Sequence, residues 1–239
     1  MDMQTLTSVK AGRSVNGQFV TAFTTHKSAS KYCYLIAGTH GDEPEGVFVQ
    51  NKLVEWLKSS NVITPFIIIP VLNPDGIQSN TRGNGNGVDL NRNLPASNWE
   101  GGDQGDRYFS GTHPLSEPEN QYLVSLFDQY PPGFIITFHS WKPMLNSNGD
   151  CDAILQLLHK YNAYPIVKNE IEDHPTPGSL GSYASETFGI PILTFECPTL
   201  EQRGNMNAIW QENKTGFIEL MNSYLINRAL NLNQHSTKL

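Results

Sequence analysis

Residues 32–58 read YCYLIAGTHGDEPEGVFVQNKLVEWLK, and this stretch decides the fold that we predict. Its first part, YCYLIAG, is continuously apolar, which is typical of a strand buried on both faces of a sheet. Pro44 disfavours helical backbone at the residue before it and is well placed to open a helix that we predict from Pro44 to Lys58. The stretch therefore predicts a strand, a short loop and a helix in succession.

The same kind of apolar run recurs three times along the chain. Runs of strand length begin at Phe66 (FIIIPVL), Phe134 (FIITF) and Ile190 (IPILTF). Strands that alternate with helices indicate an α/β layer structure, and no linker is long enough to divide the chain. We therefore predict a single α/β domain over residues 1–239. The other predicted helices are Glu117–Gln129, Asp152–Tyr161 and Asn205 to about Leu230.

A capping pattern predicts where the helix Glu117–Gln129 begins. The segment SEPENQYLVSLFDQY starts at Ser116 and has Pro118 two residues later. Serine is a favoured N-cap residue, and proline is tolerated in the first turn of a helix. Ser116 is therefore the predicted N-cap.

Composition excludes several classes of function. The chain has 239 residues, 38% of them hydrophobic and 16% charged, with a net charge of −7. Nucleic-acid binding needs a basic face, which this charge argues against. We see no signal-peptide pattern at the start, and the longest apolar run is too short to cross a bilayer. We expect a cytoplasmic protein with no nucleic-acid or membrane partner, and the oligomeric state stays open. Three cysteines without paired spacing predict small buried side chains in a reducing compartment: Cys33, Cys151 and Cys197.

Histidines and glutamates follow three of the predicted strands. His40 and Glu43 come just after the first strand, His139 ends the third, and Glu196 ends the fourth. Ligands of open α/β sheets bind outside the carboxyl ends of the strands, so these side chains should meet. Two histidines and a carboxylate form the ligand set of catalytic zinc sites. Taken singly, each histidine is explained as well by a surface loop or a hydrogen-bonded core position, and the combination is what favours a metal.

A loop rich in glycine and asparagine, RGNGNGVDLNRN at residues 82–93, carries two arginines. Arg82 would supply a permanent positive donor for negative charge that develops in a reaction. Arg92 suits a carboxylate, because the planar guanidinium can bind both oxygens at once. The alternative for each arginine is a structural salt bridge.

Several motifs, in this order and at these intervals, resemble those of the zinc metallocarboxypeptidase family. They are GTHGDEPEG, NPDG, RGNGNGVDLNRN, FHS and TFE. SEPE and TPGSLGS are similar to the subgroup of bacterial murein amidases, and the likeness covers nearly the whole chain. The resemblance implies one zinc ion per chain and a mixed, mainly parallel, twisted sheet flanked by helices on both faces.

The resemblance also implies roles for individual residues. His40, Glu43 and His139 would be the zinc ligands. Glu196 would activate a zinc-bound water and pass its proton to the leaving amine. Arg82 would polarise the scissile carbonyl and stabilise the oxyanion.

The substrate implied by the resemblance is a small murein peptide. The reaction would be hydrolysis of the γ-D-glutamyl–meso-diaminopimelate amide bond of murein tripeptide, as in peptidoglycan recycling. Asn91 and Arg92 would hold the terminal carboxylate of the substrate. The alternatives are a carboxypeptidase for other peptides or an N-acyl amino acid deacylase on the same fold, and, from another class, a zinc-containing binding module without turnover.

Three further residues carry open questions. Digestive carboxypeptidases have a mobile tyrosine ahead of the catalytic glutamate, and His174 stands at that count in this chain. Tyr183 lies nearer to Glu196, but we do not assign it that role. Lys142 could meet a second substrate carboxylate, although a solvated loop lysine explains it better.

Overall fold

Four buried strands form the centre of the sheet in the computed structural model, which describes residues 6–230. The strands of this range are β1 (Thr7–Ser8), β2 (Gly12–Arg13), β3 (Phe19–Val20), β4 (Phe23–Thr24), β5 (Tyr32–Ala37), β6 (Phe66–Ile69), β7 (Pro132–Trp141), β8 (Met144–Asn148), β9 (Ile166–Lys168) and β10 (Ile192–Pro198). The α-helices are α1 (Pro44–Lys58), α2 (Pro74–Ser79), α3 (Pro118–Gln129), α4 (Asp152–Asn162), α5 (Leu180–Phe188), α6 (Leu200–Arg203), α7 (Met206–Asn222) and α8 (Leu225–Ala229). A 3-10 turn spans Leu90–Arg92.

The eight-stranded sheet is mixed, with a parallel centre. Its order is β1-β4-β6-β5-β7-β10-β8-β9. The four central strands pair in parallel, whereas β4 on β6 and β8 on β10 are antiparallel. The predicted mixed, mainly parallel sheet in a single α/β domain is confirmed.

Helices cover both faces of this sheet. α1, α4 and α7 pack on one face, and α3 and α5 pack on the other. Within β5, Leu35 belongs to the first apolar cluster and Ile36 to the second, and every residue of the strand is buried. Since successive side chains of a strand point to opposite faces, the continuously apolar run is explained by burial on both sides.

Two predicted helix boundaries are wrong. The second predicted helix begins at Pro118 with Glu117 as its N-cap, and the Ser116 hydroxyl donates to Glu117 Oε1 instead of capping the helix. The last predicted helix is interrupted at Ser223, whose backbone is extended between α7 and α8. The Ser223 hydroxyl donates to Leu220 O and accepts from Leu225 N, so the side chain competes with the helical backbone.

The three cysteines are free and buried, as predicted. Within residues 6–230, no helix combines the length and the apolar character that crossing a membrane requires.

Candidate active site

The register of two parallel strands places two predicted site residues side by side. β10 pairs with β7 so that Glu196 lies opposite His139. In-register neighbours on adjacent strands point to the same face of the sheet. The pairing continues to Pro198 and Trp141, so both residues lie inside their strands and not at the strand ends where the sequence placed them.

The start of α1 brings two more residues to the same place. Glu43 is the non-helical residue before Pro44, which is the first residue of α1, as the proline predicted. A Cβ atom built on Gly46 would lie 2.5 Å from Phe138 O, so the first turn of the helix packs directly on the backbone of β7. This close approach brings Glu43 against His139.

His40, Glu43 and His139 form a group that could hold a metal ion. His40 Nδ1 lies 2.8 Å from Glu43 Oε1 and 3.2 Å from His139 Nδ1, and His139 Nδ1 lies 2.8 Å from Glu43 Oε2. The two histidines are 2% and 3% exposed. Two imidazole nitrogens and a carboxylate oxygen, converging in a buried position, fit the ligand chemistry of a catalytic zinc site.

Asp89, which the sequence analysis missed, contacts one of these three residues, His40, on the side that faces away from Glu43. It is fully buried, and its Oδ1 lies 3.0 Å from His40 Nε2, the ring nitrogen that faces away from Glu43. Burial alone would lower the pKa of His40, but the charges of Glu43 and Asp89 outweigh it and raise that pKa above its usual value. Carboxylates that hold the outer nitrogen of a metal-binding histidine fix its ring orientation. Asp89 belongs to the segment RGNGNGVDLNRN, between Arg82 and Arg92. Its spacing to these two arginines was the only feature of the sequence that could have indicated a role for it.

Arg82 is tied to the same carboxylates. Its Nε donates to Asp89 Oδ2 at 2.8 Å and its Nη1 donates to Glu43 Oε1 at 3.2 Å. Burial would raise the pKa of Asp89, but His40 and Arg82 hold it well below its usual range. Within the described residues, Arg82 Nη2 donates no hydrogen bond, so one edge of the guanidinium is free.

Glu196 differs from the other carboxylates because part of it has no partner. Its Oε2 is buried and makes no hydrogen bond within residues 6–230. Burial, aided by the charge of Glu43 and opposed by His139, raises the pKa of Glu196 to about 7. A buried acceptor without a partner carries a desolvation cost, which makes it a candidate to bind a ligand or a reacting group.

Asn91 and Arg92 present hydrogen-bond donors from the 3-10 turn. Asn91 Oδ1 accepts from Leu180 N at 2.9 Å, which leaves the amide nitrogen of Asn91 for other partners. Arg92 is 8% exposed, and its Nη1 donates to the backbone oxygen of Asn91. Within the described residues Arg92 has no carboxylate in salt-bridge contact, which is unusual for a buried cation.

The side chains described above, apart from that of Asp89, line one pocket with a volume of about 270 Å³. Trp141 and His174 form another part of its wall, with their rings edge to face at 4.6 Å. Tyr183 is buried in the core against Phe188 and does not line the pocket. Lys142 Nζ lies over the ring of Trp141 at 4.8 Å, and Lys142 is also absent from the lining.

Two known groups of proteins are similar to this chain in sequence. A family model described as zinc carboxypeptidase matches residues 2–216. Murein peptide amidase A of Escherichia coli (strain K12) is 30% identical over 200 residues, covering 79% of this chain and 80% of that protein. Murein peptide amidase A of Vibrio campbellii is 30% identical over 213 residues, covering 82% and 81%.

A solved structure extends the likeness to three dimensions. The crystal structure of murein-tripeptide amidase MpaA from Escherichia coli O157 superposes with a TM-score of 0.73 at 27% identity, over 89% of this chain and 90% of that one.

Proposed function

The chain belongs to the zinc carboxypeptidase family and is an enzyme of the metallopeptidase and amidase type, and from this premise we propose that it hydrolyses the γ-D-glutamyl–meso-diaminopimelate amide bond of murein tripeptide with one zinc ion. The observation that carries the reaction class is the meeting of the His40–Glu43–His139 group with the unpartnered Oε2 of Glu196 in one pocket. The names of the relatives support the murein substrate.

His40, Glu43 and His139 would hold the zinc ion. When bound, zinc supplies Lewis acidity, which polarises a carbonyl oxygen and lowers the pKa of a bound water toward about 7. Asp89 keeps the ring of His40 oriented for this task through the contact at Nε2.

Glu196 would move the proton of the reaction. It would accept a proton from the attacking water and deliver it to the nitrogen of the leaving diaminopimelate. Glu196 pairs in register with His139, so its carboxylate lies beside the residues that would hold the zinc ion and near the attacking water.

The arginines would divide the negative charges between them. Arg82 would donate from Nη2 to the oxyanion that forms on the scissile carbonyl, since Nε and Nη1 are held by Asp89 and Glu43. Arg92 and the side-chain amide of Asn91 would bind the terminal carboxylate of diaminopimelate. A buried guanidinium without a carboxylate partner gains most from such an anion.

The function is tested with L-Ala-γ-D-Glu-meso-diaminopimelate and zinc-loaded protein. We expect the protein to release free diaminopimelate, which is detected by mass spectrometry. A chelator should abolish this release. Absence of release, with bound zinc verified, would contradict the substrate, and other C-terminal peptides and N-acyl amino acids would then be tried.

The role of Glu196 is tested by the substitution Glu196→Gln. The variant should keep its zinc, because Glu196 is not in the ligand group, and kcat should fall about 10²–10⁴-fold, the usual contribution of a general acid–base group. Zinc content by elemental analysis is the control. Activity near that of the unsubstituted protein would remove Glu196 from the proton transfer.

A further inference from the structure

Three arginine side chains surround one half-exposed tyrosine at the pocket. The guanidinium carbons of Arg82, Arg92 and Arg107 lie 5.1, 5.3 and 6.0 Å from the centre of the Tyr108 ring. Tyr108 is 48% exposed, which is high for a large aromatic side chain. The face of an aromatic ring attracts cations and helps to hold the three guanidinium groups together. Carboxylates contact Arg82 and Arg107, and none contacts Arg92 in the described residues, so the cluster keeps donors for further anions.

The proposed function uses two of these arginines and leaves the third without a task. Arg107 lines the pocket, and its side chain is 61% exposed. In the described part of the chain, the one hydrogen bond that its side chain donates runs from Nη2 to Asp42 Oδ2 at 3.2 Å. In the same residues Nε, Nη1 and the second hydrogen of Nη2 have no partner, so one two-donor edge of the guanidinium, formed by Nη2 with Nε or with Nη1, can still bind both oxygens of a carboxylate.

The backbone holds Arg107 in a defined position relative to the ligand group. Phe109 N donates to Asp106 O, which closes a turn around Arg107 and Tyr108. Asp89 N donates to Phe109 O at 2.8 Å, so this turn is attached to the residue that contacts His40. Arg107 is thus a charged side chain on an anchored segment.

We propose that Arg107 binds a second carboxylate of the substrate and so determines specificity. The inference rests on the proposed function, in which Arg92 takes the terminal carboxylate. A γ-linked D-glutamyl residue keeps its free α-carboxylate, and diaminopimelate carries a carboxylate at its far end. Neither group is present in an ordinary peptide that ends in an apolar residue. Both candidate groups are carboxylates that the substrate carries in addition to the C-terminal carboxylate found in every peptide.

The test compares three peptides on the zinc-loaded protein and on Arg107→Gln. The first is L-Ala-γ-D-Glu-meso-diaminopimelate, the second has the D-glutamyl α-carboxylate converted to a carboxamide, and the third has L-lysine in place of diaminopimelate. Arg107→Gln should lower kcat/KM about tenfold on the first peptide, which is the low end for a hydrogen-bonded charge pair because the site is exposed. The loss should shrink to less than about twofold on the peptide that lacks the carboxylate bound by Arg107.

The peptide on which the loss disappears identifies the carboxylate. Disappearance on the carboxamide assigns Arg107 to the D-glutamyl residue, and disappearance on the lysine peptide assigns it to the far end of diaminopimelate. An equal loss on all three peptides, or no loss on the first, overturns the inference.

Two controls detect an effect of net charge and a failure of the reaction itself. Arg228→Gln removes an exposed arginine that lines a different cavity, and it should leave all three rates unchanged. A matching loss in Arg228→Gln would assign the effect to net charge and overturn the inference. If the unsubstituted protein, with its zinc verified, cleaves none of the peptides, the proposed function fails and this inference fails with it.

Discussion

Asp89 and Glu196 are two carboxylates of one site with opposite surroundings. Asp89 accepts from Asn91 N and from Arg82, and it contacts His40 Nε2, so both of its oxygens have partners. Glu196 Oε2 has none within the described residues. A fully partnered carboxylate orients its neighbours, whereas an unpartnered one is left for a ligand or a proton. Residue type and strand position indicated Glu196, but only the contacts distinguish the task of Asp89.

The substitution Asp89→Asn should weaken metal binding about 10–100-fold, because the amide cannot replace the charge that orients His40. The measurement is a zinc competition titration with a chromogenic chelator. Asp75→Asn is the matched control, since Asp75 is also buried but accepts hydrogen bonds from Ser14, Asn16 and Gln18 outside the pocket. Equal zinc affinities for Asp89→Asn and the unsubstituted protein would contradict the orienting role.

At the scale of elements, the site depends on how closely α1 approaches β7. Gly46 permits the approach, and Glu45 strengthens it. Glu45 Oε2 accepts from the Ser140 hydroxyl and Oε1 accepts from Leu200 N, both at 2.6 Å. The carboxylate therefore links the start of α1 to the strand that carries His139 and to the start of α6. Hydrogen bonds to a buried charge are among the stronger ones in proteins.

Gly46→Ala should destabilise the protein, although alanine is usually the better helix former by about 1 kcal/mol. The new Cβ would meet backbone atoms of Phe138 and His139 at 2.5–3.0 Å, which cannot move aside without shifting the strand. We expect a loss of about 1–3 kcal/mol in the free energy of unfolding, measured in urea, and weaker zinc binding.

Gly216→Ala is the control for this substitution. Gly216 also lies in a helix, but its nearest neighbours are side-chain atoms at 3.2 and 3.4 Å, so the loss should be smaller. A Gly46→Ala variant as stable as the unsubstituted protein would show that α1 does not need this close approach.

At the scale of the whole molecule, the proposed metal ligands come from distant parts of the chain. His40 and His139 are 99 residues apart in sequence, and the sheet brings their Nδ1 atoms to 3.2 Å. An ion that binds the folded arrangement and not the unfolded chain stabilises the fold by mass action.

Removal of zinc should therefore lower the midpoint of thermal unfolding. At a free zinc concentration of 100 times Kd the stabilisation is about 2.7 kcal/mol, which for a chain of this size corresponds to roughly 5–10 °C. Scanning calorimetry with and without a chelator measures the shift. In His139→Ala the chelator should have little effect, and an equal shift in that variant would place the stabilising ion elsewhere.

Local pattern was sufficient for the parts of this protein that depend on neighbouring residues. The continuously apolar runs predicted the buried central strands, and the proline after Glu43 predicted the start of α1, because these features depend on burial and backbone geometry near each residue. The family motifs and their order are read directly from the residue identities. Short elements with weak patterns were not predicted, among them the antiparallel strands β4 and β8, since their stability comes mainly from packing on the finished sheet.

Long-range contacts decided the rest. The partnership of Asp89 with His40, the contact of Arg82 with Glu43 and the approach of Arg82 and Arg92 to the Tyr108 ring depend on residues distant in sequence. The sequence offers Lys142 as a candidate cation and does not single out Arg107, yet of these two residues the fold places Arg107 in the lining of the pocket. No local rule separates the two, because the direction of a loop side chain is set by the elements that anchor the loop.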